Sequence, residues 1–196
     1  MNMSQSNNIW AGHQVKLRAV CDEDWEAFHK DGIDTEAARF GDDIKIPTSA
    51  ASLRERIEKS SKSSGDNIWL AIEEIDTGVL VGSTNVHGVD PRHRNFEYGI
   101  AIFRDHRKKG YATEVVSLVL RYYFRELGYH RVLATVYGFN EASLALHKSL
   151  GFTEEGRIRQ NLFTNGKFHD EVIFGMLHSE FDNLEAKLPP VPFGEN

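Results

Sequence analysis

The sequence predicts an α/β protein built on one mixed sheet. Three observations lead there: the order of its periodic segments, a basic glycine turn between a strand and a helix, and an Asn-Gly signal near the end. The segments run β-α-α-β-β-β-α-β-α-β-β, which is not a succession of βαβ repeats. At 196 residues the chain fits a single domain with a sizeable core. That domain is placed at 14–178, between a flexible lead over 1–13 and a tail over 179–196.

In order, "QVKLRAV" alternates as a first strand, and Asp22 is in place to cap a short helix running toward Gly32. A polar loop extends to Pro47, and "TSAASLRERIEKSSKSSG" reads as a second helix. "NIWLAIEEIDTGVLVGSTNV" gives two strands around Asp76-Thr77-Gly78. In "NFEYGIAIF" the side chains of Phe96, Tyr98, Ile100 and Ile102 share one face, with Glu97 and Gly99 on the other. The next helix carries a polar stripe of Glu114, Ser117, Arg121 and Arg125, is otherwise largely apolar, and stops at Gly128. "RVLATV" is a strand, and "NEASLALHKSLGF" is a helix capped by Asn140 and ended by Gly151. Two long strands then flank Asn165-Gly166, a type I′ hairpin signal.

Composition narrows the function. Forty per cent hydrophobic and 27 per cent charged residues are ordinary for a soluble protein. The net charge of −6 argues against a nucleic-acid partner. A single cysteine, Cys21, excludes an intrachain disulfide and suits a reducing compartment; the acidic run beside it discourages a nucleophile role. No apolar run reaches about 18 residues, so no membrane partner is expected, and a cytoplasmic location is. His87, His93, His169 and Asp170 lack ligand-like spacing, and no metal is expected.

Against this acidic background, "RDHRKKGYATE" (104–114) concentrates positive charge where a strand ends and a helix begins. The first N–H groups of a helix have no intrahelical partner, and the helix dipole adds positive potential. Arg107, Lys108, Lys109, Gly110, Tyr111 and Ala112 thus fit a diphosphate cradle made chiefly of main-chain donors. The six-residue pattern also fits a plain basic helix start. Neither a Walker A loop nor a G-x-G-x-x-G fingerprint is present, which leaves a nucleotide-dependent kinase a distant third reading.

The stretch from Phe96 to Leu177 resembles the core of the Gcn5-related N-acetyltransferase superfamily, in particular its ribosomal-protein N-terminal and spermidine acetyltransferases. Arg107 to Ala112 matches the family's Q/R-x-x-G-x-G/A acetyl-CoA loop, and "FNEASLALHKSLGF" matches its second motif. "FTNGKFHDEVIFGML" resembles the closing hairpin and "LRAVCDEDWEAF" the opening strand and helix, so the likeness covers most of 15–178. The resemblance implies a mostly antiparallel sheet with helices on both faces, two splayed central strands and a C-terminal hairpin. It implies acetyl-CoA as co-substrate, with Ile100, Ala101 and Ile102 pairing to the pantetheine amides, 107–113 on the pyrophosphate, and Asn140 touching pantetheine. Homodimers are common in the family.

The implied chemistry is direct attack of an amine on the thioester, which needs a proton acceptor, an oxyanion donor and a donor to the departing sulfur. Glu97 is the candidate base, since a carboxylate half-buried in a strand makes a better base than one in water. Its other reading is a surface glutamate paired with an arginine such as Arg94. At the sulfur, the family usually has tyrosine seven residues beyond the capping asparagine; here that position is His147. Asn140, Ser143 and His147 fall on one helix face, so His147 either protonates the sulfur, only hydrogen-bonds to it, or points elsewhere and leaves the task to Ser143. The acceptor is a primary amine: a protein N-terminus, a polyamine or another small amine. Asp31, Asp34, Glu36, Asp42 and Asp43 give the loop that builds the acceptor wall in the family an acidic character suited to cations, or simply to solvent. His169 and Asp170 are weaker candidates for the same wall. The rival reading is an acyl-CoA-binding sensor or interaction module that has lost turnover.

Overall fold

The computed structural model describes residues 8–41, 44, 46–61 and 68–188. Seven strands among them form one sheet in the order β1-β2-β3-β4-β5-β7-β6. The strands are β1 (Val15–Ala19), β2 (Ile68–Glu74), β3 (Leu80–Asp90), β4 (Asn95–Ile102), β5 (Arg131–Tyr137), β6 (Thr153–Thr164) and β7 (Lys167–Leu177). All neighbours are antiparallel except β4 and β5. The β6–β7 turn has positive φ at both Asn165 (51°) and Gly166 (75°), as a type I′ hairpin requires.

Strand alternation gives the sheet two apolar faces. On one, Ala71, Trp69 and Leu80 meet Leu53 and Ile57 of α3 (Ala50–Ser61) and Trp25 and Phe28 of α1 (Trp25–Gly32). On the other, Ile72, Val81, Phe96, Tyr98 and Val132 meet the apolar side of α4 (Tyr111–Arg121). The helices therefore lie on both faces, and the larger core is on the α4 side.

Four local expectations are corrected. Asp22 opens a single 3-10 turn (Asp22–Asp24) instead of capping α1. Asp24 holds the N-cap position of α1 without a side-chain cap bond; its carboxylate instead closes the 3-10 turn by accepting the Cys21 N–H at 2.9 Å, and it is gripped by both terminal nitrogens of Arg18, each at 2.8 Å. The polar loop before Pro47 holds a further helix, α2 (Thr35–Arg39), whose N-cap Asp34 accepts the Ala37 N–H at 3.0 Å. Five residues with no buried side chain carry no readable periodicity, which is why the segment reads as a loop.

The helix expected to run to Leu127 is α-helical only to Arg121 and then widens into a π turn (Tyr122–Glu126). This turn buries both Tyr123 and Phe124, and Gly128 at φ 66° ends it. Finally, the segment expected as a tail forms α6 (His178–Glu185), with Phe181 fully buried against Phe124. The polar stripe of α4 explains the docking: Arg121 bonds Glu185 at 2.8 Å, and Arg125 bonds both Asp182 and Glu185. The lead also packs where it is described, with Ala11 buried and Trp10 against the ring of Tyr122.

Candidate active site

The parallel β4–β5 pairing covers Asn95↔Arg131, Phe96↔Val132 and Glu97↔Leu133, and stops there. Beyond it Tyr98–Ile102 remain paired to β3 alone, and Ala134–Tyr137 to β7 alone. Two strands that start as neighbours thus diverge toward their C-terminal ends, leaving a wedge with Glu97 at its apex. Ile100 and Ile102 pack into the core from one side of the β4 arm, while Ala101 on the other face is exposed.

The basic turn lies past the open end of the β4 arm. Gly110 is the N-cap of α4 at φ 87°, and Lys108 adopts φ 63°. A Cβ on Gly110 would meet nothing closer than the Gln14 amide at 3.5 Å, so the glycine is needed for backbone conformation, not for room inside the protein. Glu114 N–H is bonded to Gly110 O at 3.3 Å; the N–H groups of Tyr111, Ala112 and Thr113 precede the first helical acceptor and point out of the helix end.

Much of the basic cluster is engaged within the protein. Arg107 Nε donates to Ile102 O at 2.9 Å, fastening the turn to the strand end. Lys109 is 3.7 Å from Glu74, the same carboxylate that accepts the Tyr111 hydroxyl. Arg104 bonds Asp34 and Glu36. Besides the outward N–H groups of 111–113, the turn leaves Lys108 and Lys109 exposed, a mixture of main-chain and cationic donors in keeping with a diphosphate cradle. An acyl-CoA pyrophosphate fits this donor set.

At the open end of the β5 arm, α5 (Glu141–Ser149) begins with Asn140, whose Oδ1 accepts the Ser143 N–H at 3.1 Å. His147, one turn beyond Ser143, is only 3 % exposed, stacked on Phe174 and edge-on to Phe152. Its Nδ1 lies 2.8 Å from Ser143 O and 3.4 Å from Ser143 Oγ, and its Nε2 lies 2.9 Å from the Tyr98 hydroxyl. Burial depresses its pKa, and only the bond to the Ser143 carbonyl opposes this. Of the face that joins Asn140, Ser143 and His147 by spacing, the histidine therefore turns into the core. The alternation of β4 places Tyr98 on one face with Phe96 but does not give the destination of its hydroxyl, which depends on what α5 carries opposite.

Glu97 sits on the opposite sheet face, 37 % exposed, 3.7 Å from His87 across the β3–β4 register. His87 is thus the neighbour of the candidate base in place of Arg94. Gly88 adjoins the same carboxylate: a Cβ there would come within 3.2 Å of Glu97 Oε1.

The acidic loop is less free than its composition implies. Asp34 is both cap and ion-pair partner, and the Arg104 guanidinium holds its carboxyl well below the usual range. Burial pushes the Asp31 carboxyl up. Asp42 and Asp43 lie outside the described residues. At its far end α2 reaches the second arm: Arg39 bonds Thr164 Oγ1 at 3.0 Å, and Phe40 approaches Phe139. His169 packs edge-on to Phe139, and Asp170 lies 3.6 Å from Arg157, along a shallow depression of about 300 Å³. Among the described residues, no three or more His, Cys, Asp or Glu side chains gather as a metal site. None of the described helices is long and apolar enough to cross a membrane.

Comparison with known proteins agrees with this geometry. Residues 14–153 match the family model described as an acetyltransferase (GNAT) domain. An uncharacterized N-acetyltransferase derived from the SPbeta prophage of Bacillus subtilis is 38% identical over 173 residues, spanning 88% of this chain and 95% of that one. The spermidine N(1)-acetyltransferase of Vibrio cholerae is 30% identical over 104 residues, 53% of this chain and 60% of that one. A crystal structure of spermidine N-acetyltransferase from Vibrio cholerae, in complex with CoA and spermine, superposes with a TM-score of 0.76 at 25% identity, covering 87% of this chain and 99% of that one. Enzymes of this family use acetyl-CoA. With this family model and these relatives, and with the wedge, the Gly110 turn and the hairpin following one another in the fold, the chain belongs to the GNAT acetyltransferase family and is an N-acetyltransferase.

Proposed function

We propose that this enzyme moves the acetyl group of acetyl-CoA to a primary amine by direct attack in a ternary complex. The acceptor is a protein N-terminus, a polyamine or another small amine. The observation that carries the reading is the β4–β5 wedge, which opens beside the Gly110 turn and closes at Glu97. Acetyl-CoA supplies an activated acyl carbon and a thiolate leaving group. The chain's residues bind it, orient the amine and handle the protons.

In this reading the main chain of 107–113 holds the pyrophosphate, with Lys108 and Lys109 at its edge. The strand edge at Ile100, Ala101 and Ile102 pairs with the pantetheine amides, left free by the loss of β5 pairing. Asn140 contributes its amide, since its carbonyl oxygen is already occupied by the helix cap. Glu97 takes the proton the amine must lose, directly or through water, and its partial exposure at the apex supports that role. Ser143 and His147 belong to the sulfur side. Polyamines lead the acceptor classes, because relatives over this fold carry spermidine in their names and one neighbour holds spermine.

The test is amine-dependent release of CoA thiol from acetyl-CoA. The acceptors are spermidine, an aminoglycoside, and short peptides with free serine, alanine or methionine N-termini. Release with one class establishes the transfer and names the acceptor. Silence across the panel, with CoA binding confirmed in the same samples, favours an acyl-CoA-binding module without turnover.

A further inference from the structure

We infer that Tyr98 and His147 are positioning residues that leave the Ser143 hydroxyl proton free for the departing sulfur, so that Ser143, not His147, is the donor to the thiolate. This rests on the acetyltransferase reading and goes further by asking where each proton in the cluster is committed.

The count is short. A carbonyl only accepts, so the 2.8 Å contact between His147 Nδ1 and Ser143 O requires the imidazole proton on Nδ1. A neutral imidazole has one such proton, and Nε2 is then a bare acceptor. The Tyr98 hydroxyl, 2.9 Å away, donates to it and so commits its own single proton. Ser143 Oγ, at 3.4 Å from Nδ1, can only receive the longer branch of the same N–H, because that nitrogen has no lone pair left. Among the described residues the Ser143 hydroxyl has no other hydrogen-bond partner. One proton in the set is therefore uncommitted, and it is on Ser143. That residue sits in the first turn of α5, at the open end of the β5 arm, where the helix dipole also favours negative charge.

The other two members have no proton to offer. Burial keeps the His147 ring neutral, its one N–H is spent on the Ser143 carbonyl, and its Nε2 faces the core. Burial likewise holds the Tyr98 hydroxyl well above its ordinary value. Where the resembling family has a phenol on the helix, this chain has the phenol on β4 and an imidazole in the helical position. As the C–N bond forms, the C–S bond breaks and its electron pair stays on sulfur. The amine proton goes to Glu97; the thiolate leaves hydrogen-bonded to Ser143 and takes its proton from water.

Two measurements test this without needing the acceptor. Nitrogen NMR of histidine-labelled wild-type protein should show His147 protonated at Nδ1 and bare at Nε2. A protonated Nε2, or an imidazolium at neutral pH, overturns the inference. Titration of the CoA thiol in the complex, followed by thiolate absorbance, should place it below free CoA in the wild type. In Ser143→Ala the thiolate-to-thiol ratio should fall roughly tenfold, the size of one hydrogen bond to a charged group, with the His147 signature unchanged. Tyr98→Phe should instead alter that signature. An unchanged thiol titration in Ser143→Ala overturns the inference alone. Failure of the wild type to bind CoA overturns the acetyltransferase reading and the inference with it.

Discussion

Replacing Gly110 by valine separates the cost to the fold from the cost to the ligand. At φ 87° an L-residue is strained by roughly 1–2 kcal/mol, and a β-branched one sits at the upper end. The added Cβ has only the Gln14 amide near it, at 3.5 Å, so no steric penalty inside the protein adds to this. For a chain of this size that strain lowers Tm by roughly 2–8 °C. The ligand loses more. The isopropyl group stands over the outward N–H groups of the turn, and relief of strain by rotation of φ turns those groups away. Loss of two hydrogen bonds to phosphate, at roughly 1.5 kcal/mol or more each, weakens acetyl-CoA binding about a hundredfold or more. Calorimetric titration with acetyl-CoA, paired with ligand-free melting, reads both quantities. A Kd within threefold of wild type, beside the expected fall in Tm, would refute the assignment of the turn as the phosphate site.

Three further outcomes follow from other parts of the structure. Phe181→Ala removes a fully buried ring packed against Phe124 and should cost about 3–5 kcal/mol, a fall in Tm of roughly 6–20 °C by thermal melting, with acetyl-CoA affinity retained. The Glu185 carboxyl is pushed up by burial, but the bonds from Arg121 and Arg125 outweigh this and leave it below its ordinary value. A depressed carboxyl stabilises the fold above its unfolded pKa, and that contribution is lost as pH falls through the folded value. Melting profiles from pH 6 to 3 should thus be shallower for Glu185→Gln than for wild type. Glu97→Gln should reduce kcat on the order of a hundredfold with acetyl-CoA affinity retained; wild-type turnover in this variant would leave amine deprotonation to water.

What could be read in advance was local. The Asn165-Gly166 hairpin, the Asn140 cap and the Gly110 turn each depend on the conformational preference of one or two residues, and all three stand where those preferences put them. The features that were not legible depend on partners distant in sequence. Phe181 in a polar-looking tail has no local reason to be buried; the reason is Arg121 and Arg125, about 60 residues earlier, whose charges need Glu185 and Asp182. The loop containing α2 reads as a free acidic surface until Arg104, 70 residues on, is found against Asp34. The β3–β4 register that sets His87 beside Glu97 is likewise invisible, because a slip of one residue would exchange the two faces.

His147 is the sharpest case. Read along the helix, it is a substituted acid in a line with Asn140 and Ser143, and its role stays open between donor and bystander. Read across the wedge, it is one half of a pair whose other half is Tyr98, 49 positions earlier on β4. The two side chains occupy one buried volume, so neither change is interpretable alone. A tyrosine at 147 would bring a second phenol against Tyr98 where the imidazole now accepts. A phenylalanine at 98 would leave a bare buried nitrogen, a desolvated acceptor costing roughly 1–3 kcal/mol. The imidazole at 147 and the hydroxyl at 98 satisfy one another, so the absence of a tyrosine at 147 does not by itself argue for absence of turnover. In the arrangement we infer, the task at the sulfur falls one helical turn back, to the Ser143 side chain whose proton neither partner uses.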